Sequence, residues 1–345
     1  MGSKKKIPRR LVIAPQFPAK LRYQEWWIKE FRTKFSNYFS QVEILGPVDS
    51  CFPFGECFGE YSVEFSPQKA SIQWEARMLE DYFYLRQDDI LFLTDISYPG
   101  IFPALLFHGR PDYVFAFCHA TSLNRYDIFS GIRKRKFAYE KQILEMCNGV
   151  FVGSEYHRNK LLEKGRVNTE IFVSGVPFPP SYVAGSRSKL TERQRNSDRP
   201  ITIASLARPC MQKVTKRIEK RVQREIGCKI IRPNATTWNQ YYDFISKCLI
   251  VLSTSKEETF GYQIIDAILG GAIPLAPNKF SYPEILPSSN LYDSVDELIF
   301  KIKLIQRDPS QFRLRLEDLD VTSRCSSFYH FVSSTIGEFL ENGSK

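Results

Sequence analysis

Residues 255–287 read SKEETFGYQIIDAILGGAIPLAPNKFSYPEILP, and the punctuation of this stretch decides the fold. Just before it, Cys248–Thr254 (CLIVLST) is a short apolar run rich in β-branched residues, as expected of a strand covered on both faces of a parallel sheet. Glu257 and Glu258 occupy the exit turn. Phe260-Gly261 then opens a helix whose apolar positions Ile264, Ile265, Ile268 and Leu269 supply a face to bury. Gly270-Gly271 ends the helix, and IPLAP returns as a second buried strand. Such a strand, turn, helix and strand belong to an open α/β sheet, where ligands gather at the carboxyl ends of the strands.

The polar residues in this frame suit one kind of ligand. Glu258 and Asp266 are eight residues apart, about two helical turns, so both carboxylates can lie on one side and reach opposite ends of an extended molecule. The amides of Thr259, Phe260 and Gly261 at the helix start are placed to face an anion such as a diphosphate. Carboxylates for hydroxyls and amides for phosphate together describe a nucleotide-sugar.

This arrangement resembles the donor-site signature of the retaining GT-B glycosyltransferases, the glycogen-synthase-like superfamily, with Asp266 where that signature usually carries a second Glu. The run IPLAPNKFSYPEILP followed by Asn290-Leu291-Tyr292 is similar to the tRNA-queuosine mannosyltransferase-like branch. The resemblance implies that Glu258 holds sugar hydroxyls and Asp266 the ribose. It also implies retention of the anomeric configuration and no bound metal. After the strand Ile201–Ser205, Arg208 and Lys213 match the family's cation pair, and the chemistry requires it: breaking the sugar–phosphate bond leaves extra negative charge, which fixed cations stabilise.

Composition sets the outer bounds. With 345 residues, 43% hydrophobic and 14% aromatic, the chain can build two domains, each with its own core. Its eight cysteines show no metal-ligand spacing, and several fall inside apolar runs, which points to reduced core thiols in a cytosolic protein; only Cys51 and Cys57 are close enough to suggest a disulfide. No run reaches transmembrane length and Leu11–Ala14 is too short for a signal peptide, so a soluble, cytoplasmic protein without membrane insertion is expected. The formal charge of +10 is concentrated: residues 187–232 hold 14 Lys or Arg against four acids. That concentration suits a polyanion such as DNA or RNA, although a solvated basic surface or membrane phosphates fit it as well.

Along the rest of the chain, Leu11–Ala14 reads as a first strand and residues 20–39 as a helix whose Trp26, Trp27, Phe31, Phe35 and Tyr38 form a core stripe. Val42–Leu45 is a second strand. Residues 51–67 lack a period and read as an ordered loop. Asp89–Thr94 (DILFLT) is a buried strand delivering Asp95 at its tip, a candidate for ordering the acceptor hydroxyl. Tyr113–Cys118 (YVFAFC) repeats the design and delivers His119. A histidine in this place is structural as often as catalytic; the resemblance assigns it contact with the donor sugar near the reacting carbon. Gly149–Gly153 and Ile171–Ser174 are further strands. Asp318-Leu319-Asp320 lies far from any strand tip and is not read as a metal motif.

The sequence therefore predicts an α/β protein of two Rossmann-like domains facing across a cleft: an acceptor-side domain over 1–180, a basic linker over 181–199, and a nucleotide-sugar domain over 200–345 whose last helix packs back on the first. The expected donor is a UDP- or GDP-linked sugar, and the expected acceptor a hydroxyl on a modified base of DNA or tRNA. A cell-envelope or small-molecule glycosyltransferase, or a nucleic-acid-binding relative that has lost catalysis, are the other readings.

Overall fold

The computed structural model describes residues 6–16, 21–46, 67–96, 104–106, 111–126, 133–184, 201–207 and 214–342. Two compact units emerge, the first from residues up to Pro177 and from Arg324 onward, the second from Phe178–Ser323. The possible Cys51–Cys57 pair and the loop over 51–66 lie outside the described residues, as do Arg208 and Lys213.

The first unit is a parallel sheet of β1 (Ile7–Ala14), β2 (Phe39–Ile44), β3 (Ile90–Leu93), β4 (Tyr113–Cys118), β5 (Gly149–Val152) and β6 (Ile171–Val173), in the order β2-β1-β3-β4-β5-β6. Strands β3 and β5 are buried along their whole length. Helices on both faces exclude water from them, so every residue in these strands must be apolar or small. Strand β1 begins at Ile7, four residues before the apolar run, because its polar half is held by charge rather than burial. Arg10 Nε donates to Asp89 at 2.8 Å and Nη1 to Glu43 on β2 at 2.7 Å, tying three segments together.

The helix α1 (Tyr23–Phe35) buries Trp26, Trp27, Ile28, Phe31 and Phe35. Trp27, Phe31 and Phe35, each four residues from the next, form one apolar stripe that Trp26 and Ile28 widen. The C-terminal helix, Phe328–Asn342, packs along it: Phe328 lies 5.8 Å from Phe31 and 6.2 Å from Trp27, and Tyr329 lies 5.2 Å from Phe35, centroid to centroid. This unit also contains α2 (Pro67–Tyr82), α3 (Arg133–Met146) and α4 (Glu155–Asn159), the last capped by Ser154 Oγ accepting from the His157 amide at 3.1 Å.

The second unit opens with α5 (Ser181–Ala184), so the first residues expected in the linker are helical, and 185–199 lie outside the described residues. It continues through β7 (Ile203–Ala204), α6 (Lys216–Ile226), β8 (Ile230–Ile231), α7 (Trp238–Ser246), β9 (Ile250–Leu252), α8 (Tyr262–Leu269), β10 (Ile273–Pro277), β11 (Leu291–Tyr292) and α9 (Val295–Arg307). The strands form a parallel sheet in the order β11-β10-β9-β7-β8. Its core is aliphatic, with Ile203, Ile250, Leu252, Ile273 and Leu275 of the sheet against Leu298, Ile302 and Ile305 of α9.

Strand order marks a reversal in each sheet. In the first sheet β2 lies on one side of β1 and β3 on the other; in the second, β8 and β9 flank β7 in the same way. At each reversal the two connections leave in opposite directions, opening a crevice at the carboxyl ends of the strands.

Candidate functional site

In the second unit the reversal lies between β7 and β9, and the chain leaving β9 is Ser253, Thr254 and Ser255, all buried. Thr215, at the start of α6, donates its Oγ1 to the Thr254 carbonyl at 2.9 Å and its amide to Thr254 Oγ1 at 3.2 Å. The start of α6 is thereby tied to the exit of β9.

Glu258 follows, partly exposed. The helix begins at Tyr262, two residues later than expected, because Gly261 takes φ 94° and acts as the cap rather than as the first turn. A side chain there would be strained, and its Cβ would stand 2.9 Å from Cε1 of the wholly buried Tyr282. The amide of Thr259 is not free as expected: it donates to Glu258 Oε1 at 3.1 Å, since the carboxylate folds back onto the nearest backbone donor. The amides of Phe260 and Gly261 have no acceptor among the described residues.

What holds this turn is a polar cluster beneath it. Tyr282 Oη and Ser253 Oγ are 2.7 Å apart, and Gln263 Nε2 donates to both, at 2.8 and 3.0 Å. Tyr292 Oη donates to the Ser253 carbonyl at 2.7 Å, and Ser281 Oγ to the Phe260 carbonyl at 3.0 Å. The Tyr-Pro-Glu segment thus supplies, through Tyr282, part of the polar floor beneath the turn that carries Glu258. Phe280, with φ 63°, makes the tight reversal that aims Ser281 inward.

Asp266 lies one turn from the end of α8, and its carboxylate is engaged by the neighbouring helix: Tyr242 Oη donates to Oδ1 at 2.7 Å and Tyr241 Oη to Oδ2 at 3.0 Å. Burial raises its pKa to about 6, and the two hydroxyls counteract that rise. Each oxygen retains a second lone-pair site, so the carboxylate can still accept from a ligand.

The first unit has its own constellation where β1, β3 and β4 end. Trp74 Nε1 donates to the Pro15 carbonyl at 2.8 Å, and the Gln16 amide to Thr94 Oγ1 at 2.8 Å, which fixes the chain leaving β1. Gln16 Nε2 then reaches Asp95 Oδ2 at 2.8 Å, and the Ile96 amide reaches Oδ1 at 2.8 Å. The His119 backbone amide also bonds this carboxylate, so the tips of three strands converge on Asp95. Burial raises the Asp95 pKa to about 7 against these donors; Lys136 on α3 lowers it and Glu140, on the same helix, raises it.

The His119 ring sits among Tyr23, Phe117 and Trp27 at centroid distances of 4.3, 4.6 and 4.7 Å and bonds the Thr94 backbone. Burial, then the nearby His157, holds its pKa well below the usual histidine range, so it is a neutral imidazole. Behind it, Cys118 Sγ lies 3.9 Å from His157 Nε2, but burial raises the thiol's pKa and lowers that of His157 to about 3. Both groups are neutral, and the pair is packing rather than a nucleophile with its base.

Asp95 imposes a pH dependence whose sign follows from its raised pKa. Between about pH 4 and pH 7 the unfolded chain gives up this proton while the folded chain keeps it, so its contribution to stability falls as pH rises through that window. His119 and His157, with lowered values, act in the opposite sense below about pH 6.5. Asp95→Asn removes only the carboxylate's share. The melting temperature of the variant relative to the parent is expected to climb between pH 4 and 7 and level off above. A difference independent of pH, measured by scanning calorimetry, would exclude a buried proton on Asp95.

No family model matches the chain. A stretch of 134 residues is 31% identical to the tRNA-queuosine alpha-mannosyltransferase of Drosophila melanogaster, 39% of this chain against 34% of that protein, so the match spans about a third of the relative's length. Among solved structures, sucrose-phosphate synthase from Thermosynechococcus elongatus superimposes over 97% of this chain and 98% of its own with a TM-score of 0.64 at 13% identity. An α,α-trehalose 6-phosphate synthase from Burkholderia multivorans matches 98% and 99% with a TM-score of 0.59 at 7% identity. The chain has the GT-B fold. Another protein similar in structure is Anabaena HepE, solved with UDP and glucose, with a TM-score of 0.56 at 11% identity over 97% of this chain and 100% of its own. In the GT-B frame each unit is one Rossmann-like domain, and the residues read from sequence divide between them: Asp95 and His119 in the first, Glu258, Thr259, Phe260, Gly261 and Asp266 in the second.

Sequence reasoning missed three side chains that hold the candidate carboxylates: Gln16 on Asp95, and Tyr241 and Tyr242 on Asp266. The only local signal was the Tyr-Tyr pair one helix before Asp266. Among the described residues no three His, Cys, Asp or Glu side chains cluster as metal ligands, and no helix is long and apolar enough to cross a membrane.

Proposed function

We propose that this protein is a glycosyltransferase that moves a sugar from a UDP- or GDP-linked donor to a hydroxyl on a modified base of DNA or tRNA, retaining the anomeric configuration without a metal. The observation that carries the reading is the turn from Ser253 to Gly261. It sets a partly exposed carboxylate, Glu258, and two backbone amides at the reversal point of the second sheet, over a rigid floor of Tyr282, Ser253 and Gln263. Glu258 orients the sugar hydroxyls, giving up the Thr259 amide as it does so. Asp266, steadied by Tyr241 and Tyr242, takes the ribose. Arg208 and Lys213 offset the charge on the departing diphosphate.

In the first unit, Asp95 orders the acceptor hydroxyl. A carboxyl group with a pKa of about 7 can take that proton at neutral pH, and Gln16 holds it in one orientation. His119, neutral, contacts the sugar as a hydrogen-bonding group rather than as a cation. Support for a nucleic-acid acceptor comes from the 31% identity to an enzyme named for a tRNA base and from the basic charge of the chain. The test is to incubate the protein with UDP- and GDP-linked sugars and a panel of base-modified DNAs and tRNAs, then digest to nucleosides. A hexose- or pentose-sized mass gain on one nucleoside is the expected result. No gain on any member, with transfer to a small sugar acceptor instead, would overturn the nucleic-acid reading and keep the transferase.

A further inference from the structure

Helix α6 packs one side into the second unit and leaves the other to solvent. With about 100° per residue, Ile218, Val222, Ile226 and Glu219 share the inward side. Val222 is wholly buried, Ile218 and Ile226 pack on the core, and Glu219 is taken by Arg232 Nη2 at 2.7 and 2.8 Å. Lys216, Lys220, Arg224, Arg217 and Arg221 fall, in that angular order, within an arc of about 140° that contains no acid. Glu225 stands at its edge, accepting from Arg221 Nε at 2.8 Å and lying 3.5 Å from Arg224. Lys216, Arg217 and Lys220 are exposed and make no ion pair among the described residues.

Several other cations of the chain pair with an acid four residues away. Lys141 meets Glu145 at 3.4 Å, Lys247 meets Asp243 at 2.5 Å and Lys301 meets Glu297 at 2.8 Å, each four residues away on its own helix. On α6 only Arg221 and Glu225 pair at this spacing, and three other four-residue neighbours are like charges: Lys216 with Lys220, Arg217 with Arg221, Lys220 with Arg224. Such pairs oppose helix formation. Lys216 and Arg217 also occupy the first turn, where the helix dipole favours anions. The arrangement works against the stability of its own helix, so an external anion accounts for it better than folding does.

We propose that this face of α6 grips the phosphodiester backbone of the nucleic-acid acceptor, an inference that rests on the acceptor reading above and names the surface it uses. From Lys216 to Arg224 the helix advances about 12 Å, the rise of about three to four phosphates along one strand. A membrane surface fits less well. Interfacial helices flank their cations with apolar side chains that enter the lipid, whereas the apolar residues of α6 face the core.

The test is the triple variant Lys216→Gln, Arg217→Gln, Lys220→Gln, which removes no ion pair found in the structure. Binding of fluorescein-labelled tRNA and duplex DNA is followed by anisotropy at a series of salt concentrations. The slope of log Kd against log salt is expected to flatten by about 2–3, and affinity at about 0.1 M salt to fall about tenfold or more. The melting temperature and donor hydrolysis in the absence of acceptor should stay as in the parent. Equal slopes and affinities would overturn the α6 assignment while leaving the acceptor reading intact, provided the parent transfers sugar to nucleic acid. A parent that modifies no nucleic acid in the panel defeats that reading and the α6 proposal with it. Loss of binding to phosphatidylserine vesicles in the variant, with nucleic-acid affinity unchanged, would reassign the face to membranes.

Discussion

Replacing Glu258 by alanine is expected to lower sugar transfer about 100-fold or more. A carboxylate that accepts from two sugar hydroxyls loses two charge-assisted hydrogen bonds, each about 1.5–3 kcal/mol, and a donor that swivels out of line loses about as much again in rate. The fold should not suffer. Glu258 is partly exposed, its carboxylate accepts from the adjacent Thr259 amide, and the turn is held from below by Tyr282, Ser253 and Gln263. Parent and variant should therefore melt together while the turnover rates diverge. Glu258→Gln, which keeps the shape and one acceptor, should recover part of the loss. Initial rates with the responsive donor and acceptor provide the check, with UDP and GDP binding measured separately by calorimetry. A variant within about threefold of the parent, against the hydrogen-bond energies above, would remove Glu258 from the sugar site.

Trp27→Ala should unfold the protein at distinctly lower denaturant, by about 3–5 kcal/mol. The indole is almost fully buried, and it touches Phe31 at 4.7 Å, Phe117 at 5.2 Å and His119 at 4.7 Å, centroid to centroid. Phe328 of the C-terminal helix lies 6.2 Å away, so the cavity would open between two helices and the sheet, where no single neighbour can collapse into it. Stabilities of about 5–15 kcal/mol leave little beyond such a loss. His119 would lose one wall of its apolar box, and its pKa should move up toward the ordinary histidine value as water enters. Urea titration monitored by far-UV circular dichroism checks the first effect, and NMR titration of the imidazole the second. A midpoint within error of the parent would mean that the aromatic stripe is not the core of this unit.

The same tryptophan shows why so much of the fold could be read from the chain. A helix covering a sheet must present apolar groups every three or four residues, and Trp26, Trp27, Phe31 and Phe35 do so without help from their surroundings. Strands of a doubly covered parallel sheet are uniformly apolar, so DILFLT, YVFAFC and GVFVG stand out against charged neighbours. Where burial is only partial the reading shortens. Strand β1 was read from Leu11, since Arg10 is held in the sheet by Asp89 and Glu43, partners 79 and 33 residues away.

The sites divide on the same principle. The places of Asp95 and His119 at strand tips were legible because each follows an apolar strand, and that of Glu258 because it precedes an amphipathic helix. Gln16 was not, since an amide after Pro15 carries no local signal and matters only because β1 and β3 are neighbours in the sheet. Tyr241 and Tyr242 reach Asp266 from a separate helix, so nothing within the signature around Glu258 could point to them. The sequence alone determined that the chain is a pair of parallel α/β units and which strand tips bear carboxylates, because periodicity and helix punctuation are local properties. Only the tertiary structure decided what those carboxylates meet, that the C-terminal helix belongs to the first unit, and which side of α6 packs on the core, because each depends on segments brought together across the chain by burial.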